Sequence, residues 1–164
     1  MTVSTSSTRL LLAVVAALAL PVALSGCAGT TTAAASKTPT ASASAGPCTD
    51  VTVIVDFGTL KHDPLKVCAT SGTAADVLKA AHITTAGTAD YGNAVICRVD
   101  DLPSPAAESC AKLPANAYWA MWIKPSADGT WDYAQEGVQT QALTSGQYLG
   151  LVYTTGTDST PPQG

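Results

Sequence analysis

Charge is scarce in this 164-residue chain: only 12% of residues are Asp, Glu, Lys or Arg, and 8 bases stand against 12 acids. A net charge of -4 offers no basic field for a phosphate backbone or an anionic bilayer, so nucleic acid is a poor expectation as a partner. Histidine is scarcer still, with only His62 and His82, and the cysteines are too widely spaced to form C-x-x-C pairs. That leaves no zinc-type ligand set, and no metal site is expected. There is no G-x-S-x-G elbow, no H-E-x-x-H and no P-loop. The adjacent Asp100 and Asp101 would point to opposite faces of a strand, so they make no carboxylate pair either. No catalytic residue is assigned, and the reading is non-enzymatic. The longest apolar run falls short of the ~20 residues a membrane-spanning helix needs. The length suits one compact domain with appendages.

That apolar run is placed early. Residues 10–24 are uncharged and follow Arg9, the layout of a secretory signal peptide over residues 1–26. The run ends in Leu24-Ser25-Gly26-Cys27, which resembles the bacterial lipoprotein signal, where small residues precede a cysteine that is lipidated and becomes the mature N-terminus. The resemblance implies that Cys27 is the lipidation site. It also implies that the protein is exported and anchored in the cell membrane on its extracytoplasmic face. Residues 28–47 hold only Ala, Gly, Thr, Ser and Pro apart from Lys37. Such a segment buries too little apolar surface to offset its ordering entropy, so residues 27–47 read as a flexible stalk about 25 Å from end to end. Residues 154–164 are again rich in Thr, Gly and Pro and read as a disordered tail. The folded domain is expected over residues 48–153.

Four cysteines fall in that domain: Cys48, Cys68, Cys97 and Cys110. An even number in an exported domain predicts two disulfides, with three pairings open. Cys48 with Cys68 and Cys97 with Cys110 are favoured, because both close short loops and the second staples the Pro-rich stretch at residues 102–107. Val51, Val53, Val55 and Phe57 recur at period two in a β-branched run, which predicts a strand over 51–57. A second strand is expected at 65–69, after the Asp63-Pro64 turn. Thr73 precedes Ala74, Val77, Leu78 and Ala81 on one helical face, and Asp76 sits where a carboxylate meets the free amides of the first turn. A helix of two to three turns follows, with His82 near its C-terminal end, placed for the helix dipole and not for catalysis. Residues 94–99 and 147–153 supply further strands.

Five of the chain's nine aromatics lie within 16 residues, in Tyr118-Trp119-Ala120-Met121-Trp122-Ile123-Lys124 and Thr130-Trp131-Asp132-Tyr133. Asp128-Gly129 provides turn chemistry, so a five-residue loop predicts a hairpin with Lys124 opposite Thr130. In that register Trp119, Met121, Ile123, Trp131 and Tyr133 share the core face. Tyr118, Ala120, Trp122, Lys124 and Asp132 share the other. Tyr118, Trp122, Lys124 and Asp132 are therefore the candidate ligand-binding residues, a surface that mixes aromatic rings with two opposite charges.

Taken in order, Val55-Asp56-Phe57-Gly58, Ala86-Gly87-Thr88-Ala89-Asp90-Tyr91-Gly92, Val95-Ile96-Cys97-Arg98-Val99-Asp100, Cys110 and Ala117-Tyr118-Trp119-Ala120-Met121-Trp122 resemble exported bacterial domains allied to the C-terminal domain of transcobalamin and intrinsic factor. The resemblance covers residues 50–153 and is most specific at the Tyr-Trp-x-x-Trp strand and at Trp131-Asp132-Tyr133. It implies a small α+β fold, a β-grasp-like sheet clasping one short helix, and no catalytic residues. It further implies a non-catalytic binding domain for a small ligand such as a corrinoid, with cobalamin the candidate by analogy, or for a transporter component. Two features depart from the family. Its members end in a Gly-Trp strand where this chain has Leu149-Gly150-Leu151, and the large helical domain that completes a corrinoid site has no room here. The alternative is a secreted-type protease inhibitor or an adhesion module that presents Pro103-Ser104-Pro105 from inside the Cys97–Cys110 ring.

Overall fold

The computed structural model describes residues 47–112 and 114–163. The expected signal peptide, Cys27 and all of the stalk except Pro47 lie outside the described residues. The chain runs β1 (Val51–Asp56), a 3-10 turn (Gly58–Leu60), β2 (Leu65–Ala69), β3 (Gly72–Thr73), α1 (Ala74–Ala80), β4 (Thr85–Thr88) and β5 (Gly92–Val99). It continues through β6 (Ala117–Lys124), β7 (Asp132–Tyr133), β8 (Ala142–Leu143) and β9 (Tyr148–Thr155). Five strands form one sheet in the order β2-β1-β9-β6-β7. Only the central pair, β1 and β9, is parallel; the flanking pairs are antiparallel. A parallel central pair between two antiparallel arms, with one helix on a face, is a small α+β fold of the β-grasp kind.

β1 occupies the centre because its sequence suits burial on both faces. Val51, Val53 and Val55 are fully buried with Phe57 on the helix side, and Thr52 and Ile54 are buried on the other. Across β9 and β6 the helix side continues with Leu149, Leu151 and Trp119, and Val77 and Leu78 of α1 close the cluster. The helix is short and depends on its ends. Thr73 Oγ1 accepts from the Asp76 backbone N–H, and the Asp76 carboxylate accepts in return from the Thr73 N–H, closing a capping box. At the other end the Ile83 N–H donates to Leu78 O and the His82 N–H to Lys79 O, the paired bonds of a Schellman motif. His82 is the left-handed residue of that motif, at φ 59, and its side chain is exposed.

The cysteines pair as Cys48–Cys68 and Cys97–Cys110, with Cα separations of 5.5 and 5.8 Å. Three expectations are corrected. Of the tail expected over residues 154–164, the described residues 154–163 are not free: Thr154 and Thr155 prolong β9, and residues 156–163 fold back onto the sheet, with Pro162 buried. Asp100 and Asp101 are not strand residues but the two left-handed positions of a tight turn, φ 47 and 62, closed by reciprocal bonds between Val99 and Leu102. The third concerns the aromatic hairpin and bears on the site. Among the described residues no helix is long and apolar enough to cross a membrane.

Candidate functional site

β6 pairs with β7 through Trp122↔Tyr133 and Ile123↔Asp132, one residue away from the register that a five-residue loop would impose. The connection is longer, because the Asp128-Gly129 turn is closed locally by Gly129 N–H donating to Ser126 O, and Thr130 and Trp131 stay unpaired. A one-residue slip moves every side chain of the second strand to the opposite face. Trp131 and Tyr133, expected in the core, therefore join Trp122 and Lys124 on the outer face. Asp132 leaves that group for the face of Ile123.

The outer face is an aromatic surface. Trp122 meets Tyr133 edge-on at 5.2 Å, and Trp131 meets Tyr148 edge-on at 6.3 Å. Lys124 Nζ lies 5.6 Å from the Trp131 ring centre and 5.1 Å from that of Tyr148. Tyr118 stands opposite Thr154 of β9 on the same side. The structure thus brings Tyr118, Trp122 and Lys124 together and separates Asp132, which is exposed at the sheet edge. Desolvation, and then the neighbouring Tyr118, hold the Tyr133 phenol above its ordinary pKa.

A second feature lies on the helix side of β6. Trp119 packs edge-on against Phe57 at 5.5 Å and Tyr153 at 5.3 Å and is only 7% exposed, yet its indole N–H has no hydrogen-bond partner among the described residues. Leaving a buried donor unpaired costs about 1–3 kcal/mol, so its persistence calls for an explanation. Trp119 lines a cleft of about 200 Å³ together with Met121, Ile96 of β5, and Ala134, Glu136 and Val138 of the segment after β7. That segment is pinned on three sides. Ala134 N–H donates to Met121 O, Gln139 Nε2 to Asn93 O, and Val138 O accepts from the Ala75 N–H at the start of α1. The lining is mostly apolar, with Glu136 its acidic residue. The sequence singled out Trp119 only as core, because an apolar strand residue carries no mark of an unpaired N–H.

The Cys97–Cys110 ring is held from inside by Arg98. Its Nε donates to Pro103 O at 3.0 Å and its Nη2 to Glu108 O, while the Glu108 carboxylate accepts from Cys110 N–H at 2.9 Å. Ala107 and Glu108 N–H both donate to Ser104 O, so residues 104–108 coil into a turn and Pro103 is buried. Among the described residues no three His, Cys, Asp or Glu side chains gather as a metal site. Comparison with family models, with curated proteins and with solved structures finds no match to this chain.

Proposed function

We propose that this chain is a non-catalytic binding domain of the transcobalamin C-terminal kind, presented outside the membrane on a stalk lipidated at Cys27, and that the cleft beside Trp119 takes its ligand. Two observations support the reading: Trp119 lines a mostly apolar cleft, and its indole N–H is buried with no partner among the described residues; the reading takes this donor to be uncovered when a ligand enters. An apolar pocket with one fixed donor selects a compact apolar group bearing a hydrogen-bond acceptor, and it rejects analogues that lack the acceptor. A volume of about 200 Å³ is below the usual range for whole cofactors. A corrinoid would therefore lie against the surface and place one peripheral amide in the cleft, not its ring.

The inhibitor alternative fits less well. A segment that enters a protease cleft must be extended, and residues 104–108 are coiled and bonded to Ser104 O.

The test is a thermal-shift titration of the full protein with cobalamin and with small amides and ketones, repeated on Trp119→Phe, which keeps a ring but lacks the donor. The expected outcome is a stabilising ligand whose affinity falls about fivefold to tenfold in the variant, the loss of one neutral hydrogen bond. No shift with any compound, or an unchanged affinity in Trp119→Phe, overturns the assignment of the cleft. Cys27→Ser should move the protein from the membrane fraction to the soluble one, and retention in the membrane would refute the tether.

A further inference from the structure

The outer face of the sheet, opposite the Trp119 cleft, carries an occupant of its own. β9 ends at Thr155, Gly156 turns the chain at φ 90, and residues 157–163 double back over the sheet. Ser159 Oγ receives the Trp122 indole N–H at 3.3 Å and the Thr154 hydroxyl at 2.9 Å. Pro162 is buried over Gly150, where a Cβ would stand 2.7 Å from Pro162 Cγ and 3.1 Å from Trp131 Cζ3. Glycine is needed at 150 for access alone, because only a bare backbone lets a proline ring and an indole meet there. Gly156 N–H donates to Asn116 O, and beyond it no backbone hydrogen bond ties residues 157–163 to the sheet among the described residues. The contact consists of a proline ring over Gly150 on the side of Trp131 and one hydroxyl node that holds Trp122. Aromatic-lined grooves hold extended proline segments in this way, without a strand ladder.

We propose that the groove between Trp122 and Trp131, floored by Gly150, is a recognition site for an extended Ser/Thr-Pro-Pro segment of a partner polypeptide, and that residues 157–163 occupy it in cis as a competing strap. The occupant seen in the groove defines the ligand chemistry: a hydroxyl that accepts from Trp122, then a proline over Gly150. A linker this short presents the strap at an effective concentration on the order of millimolar, so a partner must bind tightly or arrive as a repeated motif to displace it. This reading does not depend on the Trp119 cleft, which lies on the other face.

The test uses the full chain. The peptide Thr-Asp-Ser-Thr-Pro-Pro-Gln is titrated into the unsubstituted protein and into the Ser159→Ala, Pro161→Gly, Pro162→Gly variant, with tryptophan fluorescence as the readout. The strap-weakened variant is expected to bind the peptide at least tenfold more tightly. Adding Gly150→Ala should lose tenfold or more of that affinity with the far-ultraviolet circular dichroism unchanged. A folded strap-weakened variant that ignores the peptide, or a Gly150→Ala form that binds it equally well, overturns the proposal. So does a variant that forms dimers by exchanging straps instead of binding peptide. Hydrogen exchange on the unsubstituted protein tests the same idea without mutation. Amides of residues 157–160 should exchange at least a hundredfold faster than those of β9, as a displaceable strap requires. Exchange only on global unfolding would make the strap a structural element and sink the idea.

Discussion

The three tryptophans separate into two environments, and their substitution costs should separate with them. Trp119 is buried against Phe57 and Tyr153, so Trp119→Ala should cost about 3–5 kcal/mol, a large share of the stability of a small domain. Trp122 and Trp131 are half-buried on the outer face, and alanine at either should cost about 1–2 kcal/mol. Chemical denaturation of the three variants reads the ordering directly. A Trp131→Ala as severe as Trp119→Ala, with Trp122→Ala mild, would mean that the hairpin register is the one a five-residue loop imposes. Tyr133 adds a pH signature. Its folded pKa is raised, so the neutral phenol's contribution is complete below the unfolded value near 10 and is lost as pH rises through the folded value. A spectroscopic tyrosine titration should show this phenol ionising late, and Trp122→Ala should bring it back toward the ordinary range.

At the scale of the element, α1 is two turns long and survives through its ends. Thr73→Ala removes the hydroxyl that accepts from Asp76 N–H and should cost about 1 kcal/mol in denaturation. The Thr73 hydroxyl, and next its backbone N–H, hold the Asp76 carboxyl below its ordinary pKa. The sign follows from the depressed value: the cap's contribution is complete above the ordinary carboxylate pKa and disappears as pH falls through the lower folded one. Stability measured against pH should therefore lose a step at the acid end in Asp76→Asn, and an unchanged acid limb would show that the carboxylate does not support the helix. The capping signature was legible in the sequence because Thr and Asp at N-cap and N3 act through neighbouring backbone atoms. β4 was not legible. Its Thr-Ala-Gly-Thr run has no apolar alternation, and it exists because β5 and the Asp100 carboxylate, which accepts from Thr84 N–H at 2.8 Å, bring it into line.

For the whole molecule the two disulfides act at different places. Cys48–Cys68 fastens the chain just ahead of β1 to the edge strand β2, and Cys97–Cys110 closes the loop that Arg98 fills. With sequence separations of 20 and 13, loop entropy assigns each about 3 kcal/mol. Cys97→Ala with Cys110→Ala should lower stability by that amount and speed hydrogen exchange in residues 100–112 while leaving β1 and β9 slow. Uniform acceleration across the sheet would mean that the ring is part of the cooperative core and not a stapled appendage.

What the sequence determined by itself was local or repetitive. Period-two valines made β1, a cap signature made α1, and two short intervals between cysteines favoured the observed pairing. Each of these follows from interactions among residues close in the chain or from the two-residue period of the strand. The tertiary structure decided what depends on partners far apart. Asp128-Gly129 allows more than one loop length, and only the pairing of Tyr133 with Trp122 settled which face Trp131 and Tyr133 occupy. The C-terminal segment reads as a disordered tail by composition because Ser, Thr and Pro bury little by themselves. It is ordered because the β9–β6–β7 arrangement sets a glycine of β9 beside Trp131, leaving a seat for one proline ring, and turns the Trp122 N–H toward Ser159. The unpaired Trp119 N–H is likewise a property of the packed interior, since only burial against residues distant in the chain, Phe57 and Tyr153 among them, leaves an ordinary indole donor without an acceptor.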